Sequence, residues 1–114
     1  MLTVFGSTAL DTIRTPQKTL KDVLGGAATF AAISASNFVN TGLIAVVGKD
    51  FPDEYYEILS KYLDLRGLTV KEGKTFRYDG KYDKTLSSRE TLKTELNVLA
   101  DFKPTVPEEY RKSK

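Results

Sequence analysis

Short apolar runs closed by glycine alternate along this chain with stretches of helical period. Residues 2 to 6, Leu-Thr-Val-Phe-Gly, have the pattern of a buried strand in a parallel sheet. Residues 12 to 14 and 18 to 24 mix Thr, Ile, Val and Leu with charged residues around Pro16, which predicts a small hairpin of partly exposed strands. From Gly26 to about Val39, Ala27, Ala28, Ala31, Ala32 and Ala35 fall on a helical period with Phe30, Ile33 and Phe38. Small side chains would let that helix lie close to a sheet. Leu43 to Val47 is a second wholly apolar run ending at Gly48, and Pro52-Asp53-Glu54 opens a helix predicted to reach about Leu65. Leu68 to Val70 would complete a strand, helix, strand, helix, strand unit.

Beyond Gly73 the period changes from 3.6 to 2. Residues 74 to 79 alternate Lys, Thr, Phe, Arg, Tyr, Asp, and residues 85 to 99 place Leu92, Thr94, Leu96 and Val98 opposite Lys93, Glu95 and Asn97. These predict antiparallel strands with one wet face, joined through Asp79-Gly80 and the polar residues after it. Pro104 and Pro107 mark the exit, with one helical turn at Pro107-Glu108-Glu109. The fold class is therefore α/β: a partial parallel sheet with its helices, and a small antiparallel element with strands at about 12–24 and 74–99 within one domain spanning 1–114.

With 114 residues the chain can bury one core, roughly two-thirds of the surface its unfolded form exposes. Its 17 basic and 15 acidic residues are interspersed, so no phosphate-tracking face is implied and nucleic acid is not an expected partner. No apolar run is long enough to span a bilayer, so no membrane partner is expected and a cytoplasmic location follows. The closing Tyr110-Arg-Lys-Ser-Lys reads as a solvated tail. The absence of both Cys and His removes thiol nucleophiles, imidazole bases and the usual zinc ligands. Acid or base work would fall to Asp, Glu, Lys or Tyr, and a metal would be a hard ion.

Gly25-Gly26 before a helix is by itself ordinary geometry, but a helix amino terminus also carries positive partial charge and N–H groups suited to ligand oxygens. The chain lacks the glycine patterns of dinucleotide and P-loop phosphate sites. Asp11 follows the first strand, at the edge where open α/β sheets bind ligands, although an isolated Asp there is commonly a turn or cap residue. Asp50 reads as an architectural cap for the helix from Pro52, and Arg77 by itself as a solvent-facing strand residue.

Taken in order, Phe5-Gly-Ser-Thr-Ala-Leu-Asp11, Asp22-Val-Leu-Gly-Gly-Ala-Ala-Thr-Phe, Val46-Val-Gly-Lys-Asp50-Phe-Pro, Gly73-Lys-Thr-Phe-Arg77-Tyr, Thr94-Glu-Leu-Asn-Val and Pro107-Glu-Glu-Tyr-Arg-Lys resemble the amino-terminal part of the PfkB, or ribokinase-like, carbohydrate kinases. The resemblance implies that Asp11 accepts hydrogen bonds from sugar hydroxyls, that Gly25 and Gly26 adjoin the sugar, and that Arg77 lies on a lid closing over it. It also implies ATP and magnesium as cofactors of the intact enzyme, neither of them expected in this chain alone.

Two departures accompany the match. Phe30 stands where ribokinases and adenosine kinases place Asn, which argues against a typical ribokinase pocket. No glycine follows Gly80, so nothing resembles the Gly-Ala-Gly-Asp segment that supplies the family's base and anion-binding amides. The reading is a sugar-binding and lid portion of a kinase, inactive alone, with a non-catalytic binding or assembly module as the alternative. The expected partner is a sugar or sugar-like molecule. Homo-oligomerisation through the lid strands or an exposed sheet edge is also expected.

Overall fold

The computed structural model describes residues 1–85 and 88–114. Residues 86 and 87, which fall in the strand predicted over 85–99, lie outside the described residues. Two sheets organise the chain. The first is parallel and three-stranded, in the order β1 (Leu2–Phe5), β4 (Thr41–Gly48), β5 (Leu68–Lys71), and the second is four-stranded, in the order β3 (Thr19–Gly25), β2 (Ala9–Arg14), β6 (Phe76–Tyr82), β7 (Arg89–Glu95). Helix α1 (Ala27–Ser36) links the hairpin to β4, and α2 (Asp53–Tyr62) crosses from β4 to β5.

Every residue of β4 is buried, as a central strand with no charged residue requires. Ala28 and Ala32 of α1 join Leu43, Ala45 and Val47 in the core, completed by Leu10, Phe51, Leu59 and Leu63. Ala28, Thr29 and Ala32 are the buried small side chains of α1, while Ala27, Ala31, Phe30 and Phe38, placed on the same helical period, are exposed. Helix α2 begins at Pro52 with Asp53 and Glu54 in its first turn and Lys61 in its last, the charge order that its dipole favours.

The predicted antiparallel pairs form as β2–β3 and β6–β7, but Asp79-Gly80, predicted to start the connection between the latter two, lies inside β6 at a register shift, and the pair that joins the hairpins, β2–β6, is parallel. The reason is directional: β1 and β5 run the same way in the first sheet, and each leads through a short connection into the second. Two features end regular pairing. A bulge between Asp11 and Ile13 accompanies Asp22 in the left-handed region, with φ 56°. Asn97, with φ 50°, donates from Nδ2 to the Thr75 carbonyl at 2.9 Å, so the strand predicted to reach residue 99 gives way to a 3-10 segment at Asn97–Asp101.

The terminal residues are not a free tail. Tyr110, in a 3-10 turn at Glu108–Tyr110, is only 2% exposed, and its ring fills the space beside Gly42, where a Cβ would come within 2.6 Å of Cζ. Its hydroxyl donates to the Asp64 carbonyl at 2.9 Å and to Asp64 Oδ1 at 2.6 Å. Lys114 N then donates to the Met1 carbonyl at 3.2 Å, alongside β1.

Candidate functional site

Asp11 lies within β2, opposite Val23 of β3 and Tyr78 of β6. Its Oδ1 is closed off from solvent and meets no hydrogen-bond donor among the described residues. Burial pushes the Asp11 carboxyl above its ordinary value, against the opposing pull of the Arg89 guanidinium. Buried polar groups are as a rule paired, so an unpaired carboxylate oxygen in a cavity wall marks a place suited to a donor from outside the protein.

The two glycines serve this carboxylate differently. A Cβ on Gly25 would strike the Asp11 carboxylate, lying 2.5 Å from Cγ and 3.0 Å from Oδ1. Gly26 has φ 101° and packs against backbone, so that a Cβ there would lie 2.8 Å from both the Ser7 carbonyl carbon and Thr8 Cα. Together they let the hairpin turn into α1 directly behind Asp11.

The helix terminus itself is not open to a ligand as predicted. Ser7 occupies it: its Oγ accepts from Ala27 N at 3.1 Å, and its carbonyl accepts from Ala28 N at 3.0 Å and Thr29 N at 3.4 Å. These are the donors that a helix start leaves unpaired, and here the chain satisfies them internally.

Arg77 departs further from its predicted place. Successive strand residues alternate between faces, so Arg77, paired with Leu10, points away from the side shared by Asp11 and Tyr78. Its guanidinium is paired with Asp22 and donates from Nη2 to Asp50 Oδ2 at 2.8 Å. Asp50 in turn is not the cap of α2, whose start carries no side-chain cap bond. Its Oδ1 accepts from Thr75 N at 2.8 Å and Thr75 Oγ1 at 2.7 Å, because the turn after β4 brings it against β6 rather than over the helix. Burial raises the Asp50 carboxyl, but the Thr75 and Arg77 hydrogen bonds outweigh it and hold the group below its ordinary value. Its architectural role stands, with a different mechanism: it ties β4 to the second sheet.

The two faces of the second sheet carry different cavities. One, of about 550 Å³, is lined by Arg14, Lys21, Lys74, Arg77 and Lys93 among Asp22, Asp79 and Glu95. Its arginines are committed, Arg14 to both Asp79 oxygens at 2.9 and 3.0 Å and Arg77 as described. The other, of about 380 Å³, is lined by Asp11, Ile13, Val23, Leu24, Phe30, Tyr78, Tyr82 and Arg89. It joins an unpaired carboxylate to an apolar wall, the usual makeup of a small-molecule site, and is the candidate site. Tyr78, Tyr82 and Arg89 were not singled out as ligand contacts in the sequence. Strand alternation puts 78, 80 and 82 on one face, but only the register with β2 reveals that Asp11 shares it.

Among the described residues no three carboxylates gather where they could hold a metal ion, and the cavity offers a single acid beside a cation.

No protein-family model matches the chain. It is 37% identical over 75 residues to a cytidine kinase of Thermococcus kodakarensis, a match covering 65% of this chain and 27% of that protein. The nucleoside kinase of Methanocaldococcus jannaschii, an archaeal member of the ribokinase family, superimposes with a TM-score of 0.70 at 24% identity, over 87% of this chain and 38% of that one. An uncharacterized sugar kinase of Pyrococcus horikoshii, solved in complex with ATP, gives 0.67 at 26% identity, over 83% and 34%. The fold is that of the amino-terminal part of a ribokinase-like kinase. The chain is thus similar in fold to ribokinase-like nucleoside and sugar kinases and spans roughly a quarter to two-fifths of the length of these relatives.

Proposed function

We propose that this chain is the acceptor-binding and lid portion of a ribokinase-type kinase that, at full length, transfers the ATP γ-phosphoryl group to a hydroxyl of a sugar or sugar-like molecule. The observation that carries the reading is the unpaired Asp11 carboxylate, seated against Gly25 in a cavity of the second sheet. An ionised carboxylate accepts from two neighbouring hydroxyls at once, and such bonds are stronger than neutral ones. Asp11 thereby orients the acceptor, while Gly25 leaves room for the carboxylate and Gly26 for the turn behind it. The second sheet supplies the water-excluding cover that phosphoryl transfer needs. Arg77 anchors that cover through Asp22 and Asp50 rather than touching the acceptor. The nucleotide, its magnesium ion and the base that takes the acceptor proton belong to the remainder of the kinase, so the chain alone is inactive.

Calorimetry with a panel of sugars and nucleosides tests this reading. Binding that Asp11→Ala abolishes is the expected result, and binding indifferent to that substitution refutes it. Exposed Leu92 on β7 and Leu96 just beyond it support self-association through the lid. Light scattering that reports a monomer at every concentration overturns that part.

A further inference from the structure

The hairpin of β2 and β3 does not keep one register. Beside its turn Arg14 pairs with Thr19 and Ile13 with Leu20, whereas farther along Asp11 pairs with Val23, Leu10 with Leu24 and Ala9 with Gly25. Thr12 alone in β2 therefore faces both Lys21 and Asp22, so β3 carries one extra residue. Continued without it, the pairing set at the turn would bring Asp22 opposite Asp11 and Leu24 opposite Ala9. The hairpin makes β2 and β3 neighbours, and the extra residue decides that glycine rather than leucine meets the Asp11 carboxylate, where a Cβ has no room.

That residue is held in a conformation it would not choose. Asp22 has φ 56°, in the left-handed region that side chains other than glycine enter at a cost. Two groups reach it from outside the hairpin. The Arg77 guanidinium pairs with its carboxylate, but the two side chains are 26% and 42% exposed, and an ion pair so open to water contributes little. Tyr55 instead takes the main chain: its hydroxyl donates to the Asp22 carbonyl at 2.7 Å, where the interrupted ladder leaves a group in need of a partner. Tyr55 is itself fixed in the first turn of α2. Its ring meets that of buried Phe51 edge-on, with centroids 5.8 Å apart, and packs against the core.

We propose that Tyr55 is a positioning residue for the acceptor site: by holding the Asp22 carbonyl it fixes the extra residue of β3, and through that register it keeps Gly25 beside Asp11. The inference rests on the acceptor reading above and adds that α2, which packs on the parallel sheet, sets the register on which the site depends. Tyr55 does not line the Asp11 cavity, so it acts only through β3.

The test is calorimetric titration of the 114-residue chain with ribose, cytidine and inosine, with nuclear Overhauser contacts recorded between β2 and β3. It is run on the wild type, Tyr55→Phe, Asp22→Val, Asp11→Asn and the double variant Tyr55→Phe with Asp22→Gly. Tyr55→Phe keeps the ring on Phe51 and so keeps the fold, which thermal melts verify. The expected loss of affinity is about threefold to tenfold, the range that one hydrogen bond contributes. Contacts from Ala9 to Gly25 should give way in part to contacts from Ala9 to Leu24. Asp22→Val should act alike with the Tyr55 hydroxyl intact, because a branched side chain resists the left-handed region. Glycine adopts it freely, so Asp22→Gly should return the Tyr55→Phe protein to within about twofold of wild-type affinity. A tyrosine that only stabilised the fold would lower the melting temperature and move neither register nor affinity. If Tyr55→Phe leaves both unchanged, or Asp22→Gly restores nothing, while Asp11→Asn still weakens binding, the inference is overturned and the acceptor reading stands. If the wild type binds none of the three ligands, or Asp11→Asn binds as the wild type does, both fall together.

Discussion

Adjacent glycines should fail in opposite ways when given a methyl group. Gly25→Ala meets the end of a side chain, since its Cβ would lie 2.5 Å from Asp11 Cγ, and its backbone is not in the left-handed region. Turning the carboxylate aside costs about 0.5–1.5 kcal/mol if Asp11 leaves its rotamer. Replacing glycine returns about 0.4–1 kcal/mol by restricting the unfolded chain. The net is within about 1 kcal/mol, a shift of the melting midpoint of no more than about 8 °C. Acceptor binding should suffer far more. Two hydrogen bonds to a charged oxygen, at about 1.5–3 kcal/mol each, correspond to a loss of at least about 100-fold. Gly26→Ala should do the reverse. Its φ of 101° and its approach to Ser7 and Thr8 backbone leave nothing flexible to move, so the fold loses about 2 kcal/mol or more. Urea denaturation of both variants, with calorimetry on each, separates the two effects. Gly25→Ala unfolding as readily as Gly26→Ala, or keeping wild-type acceptor affinity, would refute the claim that Gly25 exists to make room for Asp11.

Four further outcomes follow from contacts described above. Asp11 holds its proton more tightly when folded than when unfolded, so its contribution to stability is present at low pH and is lost as pH rises through the folded value. Asp11→Asn should therefore raise the melting temperature at pH 7, with the gain vanishing below about pH 4, and a variant less stable at pH 7 contradicts this. Asp50 has the opposite sign: its stabilisation is present above the unfolded value and fades as pH falls, so Asp50→Asn should melt lower at pH 7 and converge with the wild type in acid. Tyr110→Phe removes the bonds to Asp64 at 2.9 and 2.6 Å from a buried ring and should cost about 1–3 kcal/mol in chemical denaturation, where a loss under about 0.5 kcal/mol would mean the hydroxyl contributes no net stability. Arg77→Met should speed amide exchange in β3 and β6 while leaving acceptor affinity within about twofold, and a large loss of affinity would put Arg77 back in the site.

Local pattern was enough to specify the elements. The apolar run at Leu43 to Val47 and the alanine period after Gly26 depend on near neighbours and became the strand and helix their periods required, and the alternation after Gly73 became strands whose ends, at Tyr82 and Glu95, it did not specify. The order of motifs likewise pointed to Asp11 and Gly25, and their adjacency follows from a hairpin that any chain with this turn must close. What the sequence left open were the choices between partners far apart in the chain. Whether Arg77 or Tyr78 shares a face with Asp11 depends on a register between residues 67 positions apart, and a slip of one residue exchanges the two. Whether Asp50 caps a helix or receives Thr75, and whether Tyr110 trails in solvent or fills the space beside Gly42, are settled by which surface each reaches first when the two sheets come together. Periodicity carries no record of that meeting, because it encodes what a residue should be buried against in kind, and only packing chooses the particular neighbour.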